Sequence, residues 1–261
     1  MIGMDCMAAI RTGLAQRFNH LHWSGRGVGT WLPCSCLTQF RRLILRSYRK
    51  RFWGLAACLA GLAGYVDVLG FVKLGGFFVS FMSGNSTRLA FGMARDPSAA
   101  LLAAQIVVAF VLGVMLGTFL SAVGGDRRKP LVLSLVALML AIAALVDAGG
   151  VGVWSALALA AAMGAENAVF LRNGEVSVGL TYMTGTLVKF GQRSVSAMMG
   201  EDRWGWLPYL ILWCSFVGGA VLGAFCQSLG PIAIWIASGF ALLMAAYAAA
   251  IGPAASMTSS V

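Results

Sequence analysis

Residues 81–89 read Phe81-Met82-Ser83-Gly84-Asn85-Ser86-Thr87-Arg88-Leu89, and this polar stretch lies inside an otherwise apolar part of the chain. Ser83, Gly84, Asn85, Ser86, Thr87 and Arg88 are small, polar or charged, whereas both flanks read as lipid-compatible. In a bilayer every backbone polar group must be satisfied by the protein itself. A glycine, an amide and a cation placed there mark an interruption, and whether the chain crosses the membrane at this point sets the topology.

The 261 residues are 59% hydrophobic and 11% charged, with a mean hydropathy of +0.83. A soluble domain carries about 25% charged residues, so this chain has too little polar surface to face water. The reading is an all-α polytopic membrane protein with the lipid bilayer as its solvent. A β-barrel would show short alternating segments instead of continuous apolar runs.

The net charge of +10 is unevenly placed. Residues 1–51 hold nine Lys and Arg against the single acid Asp5, a net +8; the remainder holds ten against eight acids, a net +2. A basic stretch before the first apolar helix is what the positive-inside rule asks of a cytoplasmic N-terminus. Nucleic acid is not an expected partner, because no recognisable module interleaves aromatics with bases. Cys34 and Cys36 with His20 and His22 lack the paired spacing of a metal site, and no metal or cofactor is expected. Residues 1–51 read as a disordered basic tail and residues 52–261 as one transmembrane domain.

Six segments have the length of a span: 52–71, 99–123, 131–146, 151–171, 206–226 and 232–251. Two more, 75–95 and 175–199, are long enough but too polar to be ordinary. The second holds Tyr182-Met183-Thr184-Gly185, with Lys189 four residues after the glycine. This repeats Phe81-Met82-Ser83-Gly84 and Arg88 at an offset of 101, and Pro231 repeats Pro130 at the same offset. Gly164 and Asn167 repeat Gly64 and Asp67 at 100. The spacing predicts two internal repeats of about 100 residues, 52–148 and 151–251.

If both polar segments cross, there are eight spans and the repeats are parallel. If neither crosses, there are six full spans plus two broken or re-entrant segments, and the repeats are inverted. The second choice puts Arg127, Arg128, Lys129, Arg172 and Arg203 on the side of the basic tail, which the charge rule favours. Paired interruptions at matching places in two halves are the sequence pointer to a transporter's binding site. Both glycines, Gly84 and Gly185, are expected to sit at breaks near the midplane.

An ionised carboxylate at the centre of a membrane helix costs on the order of 3 kcal/mol, so such acids face protein or water. Asp67 is one, and is expected to couple a proton or cation, or to pair with Arg88 or Lys189. Glu166 and Asn167 take the matching place in the second half. Arg88 and Lys189 either bind an anionic group or snorkel to the interface. Ser83, Asn85, Thr184 and Thr186 around the glycines are candidate hydrogen-bonding groups for a small solute, with helix adhesion as the alternative role. Gly113/Gly117 and Gly219/Gly223 have the spacing of close helix packing. No enzyme signature occurs, and the chain from residue 52 has no histidine, so no enzymatic activity is expected.

The run AGYVDVLGFVKLGGFFVSFMSGNSTRLAFGMA (63–94), with GLTYMTGTLVKFG (179–191) and GAENAVFLRNGE (164–175), resembles the YoaK family of bacterial membrane proteins, domain of unknown function 1275. The resemblance covers about residues 52–250 and implies a multi-pass protein of the bacterial cytoplasmic membrane, with no settled activity. It places the family's Gly-Tyr-x-Asp acid at Asp67 and its Ser-Gly-Asn core at Ser83, Gly84 and Asn85. This chain has Glu166 where the family usually has Gln. The resulting expectation is a transporter or channel for an unknown small solute, with a homo-oligomer open. The alternative is a non-transporting regulatory or partner-binding protein.

Overall fold

The computed structural model describes residues 34–172, 175–176, 179–200 and 202–251. His20, His22 and most of the basic tail lie outside the described residues, as do the side chains of Cys34 and Cys36. Residues Met1–Arg46 and Ser47–Val261 form separate compact units, and the second carries the membrane helices.

Among the described residues eight α-helices follow one another: α1 (Cys34–Lys73), α2 (Met82–Arg95), α3 (Pro97–Val123), α4 (Arg128–Ala148), α5 (Gly152–Glu166), α6 (Met183–Met198), α7 (Leu207–Cys226) and α8 (Pro231–Ala250). α1 opens at Cys34, so its helix begins within the stretch read as a disordered tail. Short 3-10 turns extend α5 (Asn167–Phe170) and α7 (Gln227–Leu229), and a two-residue antiparallel ladder pairs Leu171–Arg172 with Glu175–Val176.

Among the described residues six helices are long and apolar enough to span a bilayer: Trp53–Lys73, Pro97–Val123, Gly125–Ala148, Gly152–Phe170, Leu207–Leu229 and Pro231–Ala250. α2 and α6, with 14 and 16 residues, reach only about 21 and 24 Å. That is short of a hydrocarbon core of about 30 Å. The lead helices α1 and α5 form the centre, with 67% and 72% of their spanning windows buried, against 22% for α3 and 17% for α7. α4 packs on α8, and α5 packs on both α3 and α4.

The two halves exchange partners through glycines. A Cβ on Gly64 (α1) would fall on the carbonyl oxygen of Phe216 (α7), and one on Gly164 (α5) on that of Phe110 (α3). Likewise Gly219 meets the Gly61 carbonyl and Gly113 that of Ala161, while Gly223 meets Tyr65 and Gly117 meets Ala165. Each pair in one half recurs in the other, at an offset of 100 for lead helices and 106 for their partners. From Gly61 with Gly219 to Tyr65 with Gly223, and from Ala161 with Gly113 to Ala165 with Gly117, residue numbers rise together, so α1 runs parallel to α7 and α3 parallel to α5. At the centre, Ser238 Oγ of α8 donates to the carbonyl of Ala137 in α4 at 2.8 Å. These two positions are equivalent at offset 101, so the pseudo-two-fold axis passes between them.

One ion pair decides the number of crossings. Lys73 Nζ, at the end of α1, lies 2.7 and 2.8 Å from the carboxylate oxygens of Asp147, at the end of α4. Both helices therefore end at the same membrane face. α3 joins α4 through the short turn Gly125–Arg127 and must run the opposite way. The chain between Lys73 and Pro97 thus enters the membrane and returns to the face it left. The parallel pairing of α7 with α1 requires the same of the chain between α5 and α7, at the opposite face. The fold has six spans and inverted halves.

Candidate functional site

Asp67 lies six residues before the end of α1, about 9 Å inside it. The chain leaves α1 through Gly75 and Gly76, both at positive φ, and folds back along the helix without helical hydrogen bonds. Val79 packs against Gly70, and the Phe71 and Phe78 rings lie 5.0 Å apart. Asp67 Oδ1 accepts from the backbone N–H of Val79 at 2.9 Å and of Ser80 at 2.7 Å. Asn85, fully buried in α2, closes the segment from the other side. Its Oδ1 accepts from Phe78 N at 3.2 Å and its Nδ2 donates to Phe78 O at 2.6 Å. Two side chains thus replace the water or strand partner that an extended backbone requires at membrane depth.

The glycine motif does something other than break the chain. Gly84 and Gly185 are the third residues of α2 and α6, and the non-helical backbone precedes each helix. The residue before each helix, Phe81 or Tyr182, makes no side-chain cap bond. Instead its ring folds over the first turn, where a Cβ on Gly84 or Gly185 would collide with it. Aromatic, Met, hydroxyl, Gly is therefore a helix-start device, and the break falls one turn earlier than expected. The reason is steric: the glycine makes room for a ring.

The second segment repeats the plan with different chemistry. Asn167 Oδ1 accepts from Thr181 Oγ1 at 3.2 Å, and its Nδ2 donates to the Met163 carbonyl at 3.0 Å. Thr186, at the place of Asn85, is buried and bonds back to the Tyr182 carbonyl at 3.3 Å. Glu166 is fully buried, and neither carboxylate oxygen has a hydrogen-bond partner. The equivalent residue in the first half is Val66, also fully buried.

The charged candidates do not converge. Arg88 lies over the Phe77 ring, 4.7 Å from its centroid, and Asp67 makes its bonds to Val79 and Ser80 instead of a cation. Among the described residues the sole ion pair is Lys73 with Asp147. Lys189, Ser83 and Thr184 are exposed on α6 and α2. The residues that sequence reasoning missed are Val79, Ser80, Thr181, Lys73 and Asp147. Ser80 and Thr181 carried a signal, since each precedes the repeated aromatic at the same offset of 101.

Six spans, inverted halves and two re-entrant segments define a multi-pass helical membrane protein of the inverted-repeat class. Residues 55–247 match the family described as "Protein of unknown function (DUF1275)". The chain belongs to that family. It is 36% identical over 214 residues to a UPF0700 transmembrane protein of Rhizobium meliloti (strain 1021), covering 80% of this chain and 91% of that one. No solved structure matches it.

Proposed function

We propose that this protein moves a small solute across the bacterial cytoplasmic membrane by alternating access between its inverted halves. The observation that carries this reading is the pair of re-entrant segments entering from opposite faces, each tied to a lead helix at Asp67 or Asn167. Inverted repeats with discontinuous helices that end inside the membrane are a recurrent transporter arrangement. Arg127, Arg128, Lys129 and Arg203 fall on the face where α1 begins, against Lys73 and Arg95 on the other. This bias supports a cytoplasmic N-terminus.

Within it, Asp67 positions the first segment and Glu166 is the coupling group. A buried carboxylate without a partner is tolerated where it takes up a proton or meets a cation during a cycle. The test is uptake into proteoliposomes across a panel of solutes for wild type, Glu166→Gln and Gly84→Leu. Transport should be present in the wild type and lost in both variants at equal reconstituted amounts. Equal uptake by all three, or no solute moved by the wild type, overturns the reading.

A non-transporting regulatory role has its own support: Asp67, Asn85 and Asn167 all use their hydrogen bonds to hold the fold. It predicts a co-purifying partner, and variants that lose stability together with that partner.

A further inference from the structure

The two halves differ most where α6 meets α7. α2 passes into α3 through Asp96 alone, whereas residues 199–206 separate α6 from α7. This insertion raises the repeat offset from 101 to 106. It carries Arg203, Trp204 and Trp206 and has no counterpart in the first half.

The inserted residues build a groove of about 390 Å³ against the last turns of α6. Phe190, Ala197 and Met198 form one wall, and Arg203, Trp204 and Trp206 the other. Trp204 stacks on Trp206 at 6.3 Å, and Phe190 meets Trp206 edge-on at 6.1 Å. The Trp206 indole donates to the Arg203 carbonyl at 3.0 Å, which fixes the ring against the loop. Asp202, the nearest described acid in the loop, is exposed, and its Oδ1 accepts from the Trp204 N–H at 3.2 Å. The Arg203 guanidinium has no ion-pair or hydrogen-bond partner among the described residues.

The position is set by the topology. α7 starts beside the beginning of the α1 span, where the Trp53 and Tyr209 rings lie 5.9 Å apart. The groove therefore opens at a bilayer face, the level where Trp side chains prefer to lie. Its volume suits a headgroup and its linking carbons rather than a whole lipid. An unpaired guanidinium with its fork of donors recognises phosphate oxygens, and indoles beside it suit glycerol and the first acyl carbons.

We propose that this groove binds the phosphate of an anionic phospholipid, with Arg203 as its ligand and Trp204 and Trp206 as its apolar walls. The occupant is a lipid rather than a soluble phosphate ester, because the walls beside the guanidinium are aromatic and aliphatic and open onto the membrane face.

The test is native mass spectrometry of the detergent-purified full chain with phosphatidylglycerol, phosphatidylcholine or soluble glycerol phosphate at equal concentration. Wild type should retain phosphatidylglycerol about tenfold better than phosphatidylcholine, whose phosphate is the same but whose trimethylammonium group repels the Arg203 guanidinium. Arg203→Gln should abolish that preference, Arg203→Lys should keep part of it, and Arg128→Gln should leave it unchanged. Equal retention of the two lipids by wild type, or an unchanged preference in Arg203→Gln, overturns the proposal. Retention of glycerol phosphate as strong as that of phosphatidylglycerol also overturns it in favour of a soluble ligand. Should Arg203→Gln not fold, Trp204→Ala takes its place with the same expected loss, and the lipid preference of the wild type still decides.

Discussion

The re-entrant segment after α1 and the one after α5 have the same plan, but an acid plays opposite parts in them. In the first, the acid is Asp67, and its carboxylate is occupied by the amides of Val79 and Ser80. In the second, the neutral Asn167 holds Thr181, and the acid has moved one residue back to Glu166, where nothing pairs with it. The comparison teaches that structural and chemical duties are separable in such a repeat. A site residue is better recognised by what its oxygens lack than by being an acid in a membrane helix.

The largest effects are expected where the halves are alike. Gly64→Leu and Gly164→Leu each drive a side chain into a helix backbone that has no room to move. Each should destabilise by about 3 kcal/mol or more, and both should leave little folded protein in fluorescence-detected size exclusion. A well-folded Gly164→Leu beside an unfolded Gly64→Leu would break the equivalence of the two crossings.

Next come the anchors, where the halves should differ. Asp67→Ala leaves two buried backbone N–H groups without acceptors, a cost of roughly 2–5 kcal/mol. Asn167→Ala frees one threonine hydroxyl and one carbonyl, at roughly 1–2 kcal/mol. Asp67→Asn keeps an acceptor oxygen in place and should lie near the wild type. Thermal unfolding in detergent would show the order, and equal losses at Asp67 and Asn167 would remove the asymmetry between the segments.

Much of this was legible in the sequence, and the limits have physical causes. The six spans could be read because a bilayer admits only long apolar helices, and their bounds differ from the expected ones by a few residues. The repeat could be read because glycine, aromatic and proline markers keep their spacing. Gly84 was misplaced at a break because a helix-breaking glycine and a glycine lying beneath a ring have the same composition; only the orientation of Phe81 separates them. Asp67 was expected to meet a cation, since its real partners are backbone amides that no side-chain pattern announces. Gly113 and Gly219 were recognisable as packing residues, but their partners lie in the opposite half.

The ion pair that settled the topology offers a smaller effect. Lys73 and Asp147 lie 74 positions apart in sequence and have side-chain exposures of 22% and 8%. Their equivalents in the second half, Asn173 and Ala248, cannot form such a pair. Breaking it with Lys73→Ala or Asp147→Ala should cost about 1–3 kcal/mol, between the values for exposed and buried pairs. A double-mutant cycle measures the coupling. A coupling near zero would leave α1 and α4 held together by packing alone and remove the one-sided closure of this face.

The smallest expected effect on stability is at Glu166, and it bears most on function. Glu166→Gln keeps the shape of the side chain and removes its ability to carry charge. Because Glu166 holds no partner in place, the substitution should shift stability by less than about 1 kcal/mol, or raise it slightly. Asp67→Ala, by contrast, removes the bonds that order a segment. If transport is coupled at Glu166, gradient-driven uptake by the Gln variant should be lost while folding is unchanged. The reciprocal variant Val66→Glu places an unpartnered acid in the first half and should destabilise without creating a second coupling site. A Glu166→Gln protein that unfolds as readily as Asp67→Ala would mean that Glu166 is another anchor, and the division of duties between the halves would not hold.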